Sequence, residues 1–235
     1  MNYRKLLRKF PLIRKFLYTA EYSTLLQYEA LALNHLAKLK LDVYIPWTGS
    51  SISPASLRVM LNEIVISNRG ALIEFGSGIS TLYFASILKQ IGSGVLVSVE
   101  QDSDWMEIVR GIINRQGLSE YVEFVHCPLA LGESSPWYDK EILNDKLGDK
   151  KFDFVLIDAP ILNAENIKVR EPAGEFMRDR LTKNFTLFLD DSNRRGEIEI
   201  CDMWQHRFNW VRHDFWPKAT VSSFRRPDLK SYNVC

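Results

Sequence analysis

The hydrophobic rhythm of the chain changes near Gly70. Before that point apolar residues recur at helical spacing. In 24–40, "TLLQYEALALNHLAKLK", Leu25, Tyr28, Leu31 or Ala32, and His35 or Leu36 share one face, which predicts an amphipathic helix. "IPWTGSSISP" reads as a loop. Ser53 followed by Pro54 then marks a capped helix start, with the helix running to about Ser67. After Gly70, short apolar runs alternate with helical patterns. "ALIEF", "GVLVSVE", "YVEFVHC", "FDFVLIDA" and "FTLFLDD" read as buried strands. Helices are expected at Ser80–Gln90, at Ser103–Arg115, near Ala173–Leu181 and at Gly196–His206. The end, "WVRHDFW" and "ATVSSFRRP", reads as two strands with no helix between them, an antiparallel hairpin at one edge. The expected fold is α/β: a doubly wound, mostly parallel seven-stranded sheet with helices on both faces. Residues 1–68 form an N-terminal helical extension, and 69–235 the ligand-binding domain.

Composition narrows the class. The 235 residues are 46% hydrophobic and 25% charged, enough for a core that needs no disulfide or structural metal. Cys127, Cys201 and Cys235 are scattered without metal-ligand spacing, which fits a reducing compartment, hence the cytoplasm. Net charge is +1, but Arg4, Lys5, Arg8, Lys9, Arg14 and Lys15 lie in the first 20 residues with no acid. Such a balance argues against a dedicated nucleic-acid binder. Residues 4–15 read either as a basic element for an anionic membrane surface or an acidic partner, or as a solvated terminal helix. No apolar run there is long enough for a signal peptide or a membrane span.

In such sheets ligands bind at the carboxyl ends of the strands. After the first strand comes "EFGSGIST". Gly76 and Gly78 let backbone approach a ligand closely, beside the free N–H groups of the next helix. No lysine follows, so it is not a phosphate-binding P-loop. Thr81 stands where a dinucleotide fingerprint has its third glycine, and Glu74 would repel a diphosphate but favour a cationic group. Glu100, after the second strand, can accept both hydroxyls of a ribose. The combination describes a positively charged ribonucleoside.

These residues resemble the class I S-adenosylmethionine-dependent methyltransferases, nearest in feel to bacterial sugar and polysaccharide O-methyltransferases. "EFGSG" looks like their first motif, "LVSVE" like the strand with the ribose acid, "FVHCPL" like the adenine loop and "FDFVLIDAP" like the fourth-strand motif. The resemblance implies that Gly76, Ser77 and Gly78 face the methionine part of S-adenosylmethionine, with Thr81 in the same turn. Glu74 would lie near the cofactor's amino group, Glu100 and Gln101 at its ribose, and His126, Cys127, Pro128 and Leu129 at its adenine. Asp158 would close the pocket.

Acceptor chemistry is sought at the next strand ends. "DAPI" lacks the second proline and the aromatic of amino-methyltransferases. Asp158, Asp190 and Asp191 are the catalytic candidates, and together they offer oxygen ligands for Mg or another divalent cation. The alternative is that they bond cofactor, backbone amides or helix N-termini. The resemblance to sugar methyltransferases makes a small hydroxylated molecule or a glycan the acceptor. Trp137 and Tyr138 would stack on it, and Asn193, Arg194 and Arg195 would meet its polar groups. The N-terminal helices would cover the cleft or form a homodimer contact. The rival readings are a hydroxylase-like metal enzyme on the same scaffold and a non-catalytic adaptor.

Overall fold

The computed structural model describes residues 11–39, 41–44, 46–130, 136–161, 168–229 and 234, with backbone alone for Pro11, Leu12 and Arg14. The basic residues 4–9 and Cys235 lie outside the described residues. Two helices come first. α1 (Pro11–Leu36) extends further toward the N-terminus than its hydrophobic face suggests. α2 (Pro54–Ile66) starts as expected, with the Ser53 hydroxyl accepting from Ser56 N and Pro54 in the first turn. Glu29 of α1 also caps it, accepting from Ala55 N at 2.8 Å.

The alternating region forms β1 (Ala71–Phe75), α3 (Ile79–Ile91), β2 (Val95–Glu100), α4 (Ser103–Arg115), β3 (Val122–His126), α5 (Lys140–Leu147) and β4 (Phe152–Ile157). It continues through α6 (Pro172–Arg178), β5 (Leu181–Leu189), α7 (Arg195–Phe208), β6 (Val211–Asp214) and β7 (Ser222–Arg225). α5 had no clear sequence signal, since only Leu143 and Leu147 of its length are buried. β5 begins at Leu181, earlier than its apolar run: Leu181 pairs with Phe152, and a register shift follows before Thr186 pairs with Phe154.

The seven strands lie in the order β3-β2-β1-β4-β5-β7-β6. All neighbours are parallel except β7, which is inserted antiparallel between β5 and β6. The terminal pair is therefore a hairpin, but its second strand is internal and β6 forms the edge. Residues alternate between two cores. Ile73, Phe75, Val155, Ile157, Leu187 and Leu189 face α5, α6 and α7. Leu72, Leu96, Phe154, Leu156 and Phe188 face α2 and α3. Ala32 and Leu36 of α1 join the second core, so the N-terminal helices are packed continuously with the sheet. α1 leaves Phe16, Tyr18, Tyr22, Leu26 and Leu33 exposed. Among the described residues no helix is long and apolar enough to cross a membrane.

The strand order reverses between β1 and β4, which opens the crevice where such folds bind ligands.

Candidate active site

The turn after β1 is built around Gly76. Its φ is +103°, and a Cβ there would lie 2.9 Å from the Ala159 Cβ. Both facts demand glycine. Phe75 O accepts from Asp158 N at 3.1 Å and Ala159 N at 2.9 Å, which locks the β4 exit against this turn. A Cβ on Gly78 would meet nothing within 4 Å, so that side of the turn is open to a ligand.

Glu100 is buried at the end of β2. One carboxylate oxygen accepts from Ser77 N at 2.9 Å, the other from Gln101 N at 2.8 Å and Asp102 N at 3.0 Å. A carboxylate accepts about four hydrogen bonds, so room remains for a ribose hydroxyl. His126 is exposed, with Nε2 3.1 Å from Gln101 O, and Pro128 is exposed beside it. Cys127 is not available as a side chain: it is fully buried, and burial pushes its thiol up to about 11. Leu129 is half-buried and bridges to Tyr138. Among the described residues the Gln101 side-chain oxygen and the Tyr138 hydroxyl are buried without a hydrogen-bond partner. Unpaired buried polar atoms beside an open glycine turn fit a polar ligand that completes them.

Two expected cofactor residues turn inward. Glu74 is fully buried, and its carboxylate accepts from Ser80 Oγ and Ser98 Oγ, each at 2.7 Å, and from Thr81 Oγ1. Thr81 is fully buried too, and its hydroxyl also accepts from Gly78 N at 2.9 Å, capping α3. These residues shape the turn from behind rather than face a ligand. Desolvation raises the Glu74 pKa to about 7, against the lowering effect of its three hydroxyl partners, and Asp158 adds a smaller upward push. Native Glu74 thus keeps a proton that the unfolded chain releases near pH 4.5. Stability from this residue is full below about pH 4.5 and is lost as pH rises to about 7, by at most about 3 kcal/mol. Glu74→Gln is expected to lose less melting temperature than wild type between about pH 5 and pH 8. Equal slopes in thermal melts would contradict this.

The acids after β4 and β5 come together as expected. One carboxylate oxygen each from Asp158, Asp190 and Asp191 lie within 4.8 Å of one another. Asp191 adopts the left-handed backbone conformation, φ +56°, in the turn after β5. Burial raises the Asp158 pKa to about 6, with Arg170 pulling it down, and pushes the Asp190 carboxyl well up. Two residues that sequence reasoning passed over complete the cluster. The Arg170 side chain is buried, with Nη2 3.4 Å from Asp158 Oδ1 and Nη1 3.5 Å from Asp191 Oδ2. Glu197, at the start of α7, is fully buried, with Oε1 3.8 Å from Arg170 Nη1. Arg194 pairs with Asp191 at 2.8 Å. Two of the three acids a divalent ion would need are therefore already partnered by guanidinium groups. An ion at these acids would compete with Arg170 and Arg194 for Asp158 and Asp191.

The expected acceptor contacts are corrected at two places. Trp137 and Tyr138 are fully buried against Phe75, their ring centroids 5.4 and 5.5 Å from its own, and so are core rather than a stacking platform. Arg195 points away along α7 and pairs with Glu199 at 3.2 Å. Asn193 is exposed in the turn before α7.

A family model described as a methyltransferase domain matches residues 73–192, from β1 through the turn after β5. The chain belongs to the methyltransferase domain family. A probable caffeoyl-CoA O-methyltransferase from Arabidopsis thaliana is 29% identical over 127 residues, 53% of this chain and 51% of that protein. The match thus spans about half the length of this curated relative. Among solved structures, an O-methyltransferase from Bacillus cereus in complex with SAH superposes with a TM-score of 0.57 at 18% identity, covering 85% of this chain and 91% of that one. The O-methyltransferase TomG from Streptomyces achromogenes, in complex with SAM, gives 0.57 at 11% identity over 86% and 98%. These likenesses show the fold.

In this methyltransferase Trp105 is a further residue of the site. Its Nε1 donates to Ser77 O at 2.8 Å and so closes one side of the glycine turn. A signal for it existed: Trp105 lies in the first turn of the helix capped by Asp102, next to Glu100. Arg170 and Glu197 had none, because arginine and glutamate beside helix starts are ordinarily solvated.

Proposed function

We propose that this chain is an S-adenosylmethionine-dependent O-methyltransferase for a small hydroxylated acceptor. The observation that carries the reading is the juxtaposition of Asp158 with the open glycine turn, fixed by Phe75 O. Glu100 would hold the ribose, Gly76 to Gly78 the methionine part, and His126, Pro128 and Leu129 the adenine edge. When bound, the cofactor supplies an electrophilic methyl group on a sulfonium. Asp158 retains partial access to solvent, with 18% of its side-chain surface open. Its carboxylate is placed to take the acceptor hydroxyl's proton as that oxygen attacks in line. Asp190 and Asp191 set the orientation of the acceptor beside it.

In this reading α2 forms the far wall of the acceptor site. Ser56 Oγ of α2 lies 3.1 Å from Thr220 Oγ1, which in turn lies 3.5 Å from Asp190 Oδ1. This chain of contacts supports the role of residues 1–68 as a cover over the acceptor. A small molecule is favoured over a glycan because the aromatic pair that would stack on a sugar is core. The likeness to a probable caffeoyl-CoA O-methyltransferase points the same way. The test is incubation with S-adenosylmethionine and a panel of ortho-dihydroxy phenols and simple sugars, read by mass spectrometry. Methylation of a phenol with release of S-adenosylhomocysteine is expected. Methylation of sugars alone would reinstate the glycan, and cofactor binding with no product on any acceptor would count against the reading.

A further inference from the structure

Arg170 is an arginine where the sequence led us to expect a metal ion. Its guanidinium sits among five oxygens drawn from three segments. Nε donates to Pro160 O at 3.2 Å and Nη1 to Asp190 O at 3.3 Å. Nη1 also faces Asp191 at 3.5 Å and Glu197 at 3.8 Å, and Nη2 faces Asp158 at 3.4 Å. The loops after β4 and β5 and the start of α7 all converge on this one group. The residue is 3% exposed, so it is not a surface arginine caught by chance. Neither Glu197 oxygen has a hydrogen-bond donor among the described residues, which leaves Arg170 as its nearest cation. Without Arg170, four carboxylates would face each other with only the half-exposed Arg194 among them.

We infer that Arg170 is the resident cation of this site: its guanidinium takes the place of a divalent ion between the strand-end acids, and catalysis proceeds without a metal. The inference rests on the proposed O-methyl transfer, and it concerns how that reaction balances its charge. A divalent ion bound by these acids would sit about 2.0–2.6 Å from their oxygens, and the guanidinium already lies within hydrogen-bonding range of one carboxylate oxygen on Asp158 and one on Asp191. The two cations compete for one set of ligands. Arg170 has the advantage of being covalently tethered, and its planar fork spans two carboxylates at once. It is too buried to touch an acceptor. It acts as a positioning residue, holding Asp158 and Asp191 at their spacing and offsetting their charge as the acceptor oxygen approaches.

The experiment compares wild type, Arg170→Gln and Arg170→Lys, each checked for fold by near-ultraviolet circular dichroism. Two readouts are used: turnover with EDTA or with added magnesium, and Mn2+ binding by electron paramagnetic resonance. Wild-type turnover is expected to be the same within about twofold in EDTA and magnesium, with no Mn2+ bound below about millimolar. Arg170→Gln should lose about 100-fold or more in turnover and gain Mn2+ binding, and Arg170→Lys should recover part of the turnover without binding Mn2+. Loss of wild-type turnover in EDTA with recovery in magnesium overturns the inference. So does tighter Mn2+ binding by wild type than by Arg170→Gln. If no acceptor is methylated at all, the O-methyl reading fails separately, and the Mn2+ comparison still decides the role of Arg170.

Discussion

Asp158→Asn is expected to lower turnover by about 100- to 10,000-fold while cofactor affinity stays within about threefold. The substitution keeps the shape of the side chain and the backbone bond from residue 158 to Phe75 O, so the glycine turn is undisturbed. It removes a carboxylate that is at once beside that turn and partly open to an acceptor. An amide cannot take a hydroxyl proton, so the loss should appear in kcat rather than in KM. Steady-state kinetics with the acceptor found in the panel, together with a cofactor titration, separates these cases. A large fall in cofactor affinity with normal turnover at saturation would place Asp158 in cofactor binding instead.

The largest effect on stability is expected at Glu63, far from the chemistry. This α2 residue is fully buried. It accepts from Arg69 at 2.9 and 3.1 Å, from Thr186 at 2.8 Å and from Arg225. The carboxylate therefore ties the N-terminal helices to the start of β1, to β5 and to the internal antiparallel strand β7. Glu63→Ala leaves Arg69 and Arg225 buried without their anion, which should cost about 3–5 kcal/mol. For a chain of this length that corresponds to a fall of roughly 6–20 °C in melting temperature. Lys150→Ala, which breaks a half-exposed pair with Glu123, is the control and should cost less than about 1 kcal/mol. Equal small effects would mean that the Glu63 network does not hold α2 to the sheet.

What the sequence revealed and what it hid follow from one distinction. Features set by local pattern were legible: the apolar runs, the Ser53–Pro54 helix start, the glycine turn and the acids that end β2, β4 and β5. Features set by long-range packing were not. Trp137 and Tyr138 looked like a stacking surface because aromatics after a strand are often exposed, yet the fold carries them onto Phe75. Glu74 looked like a ligand contact because of its place in the motif. The alternation of β1 sends it to the opposite face from Ile73 and Phe75, where three hydroxyls from α3 and β2 meet it. Arg170 carries no mark in its own segment, and only the convergence of β4, β5 and α7 makes it central. The insertion of β7 between β5 and β6 is likewise a matter of topology, which a two-residue strand period cannot encode.

The account stands on the glycine turn and Glu100 together holding a sulfonium nucleoside. Calorimetric titration of S-adenosylhomocysteine into wild type and into Glu100→Ala tests this directly. Wild type should bind with a dissociation constant of roughly 1–100 μM, and the variant should weaken binding by about 30-fold or more, since it loses both the ribose acceptor and the anchor for Ser77 N. No heat with wild type, or the same affinity in the two proteins, would contradict the central claim.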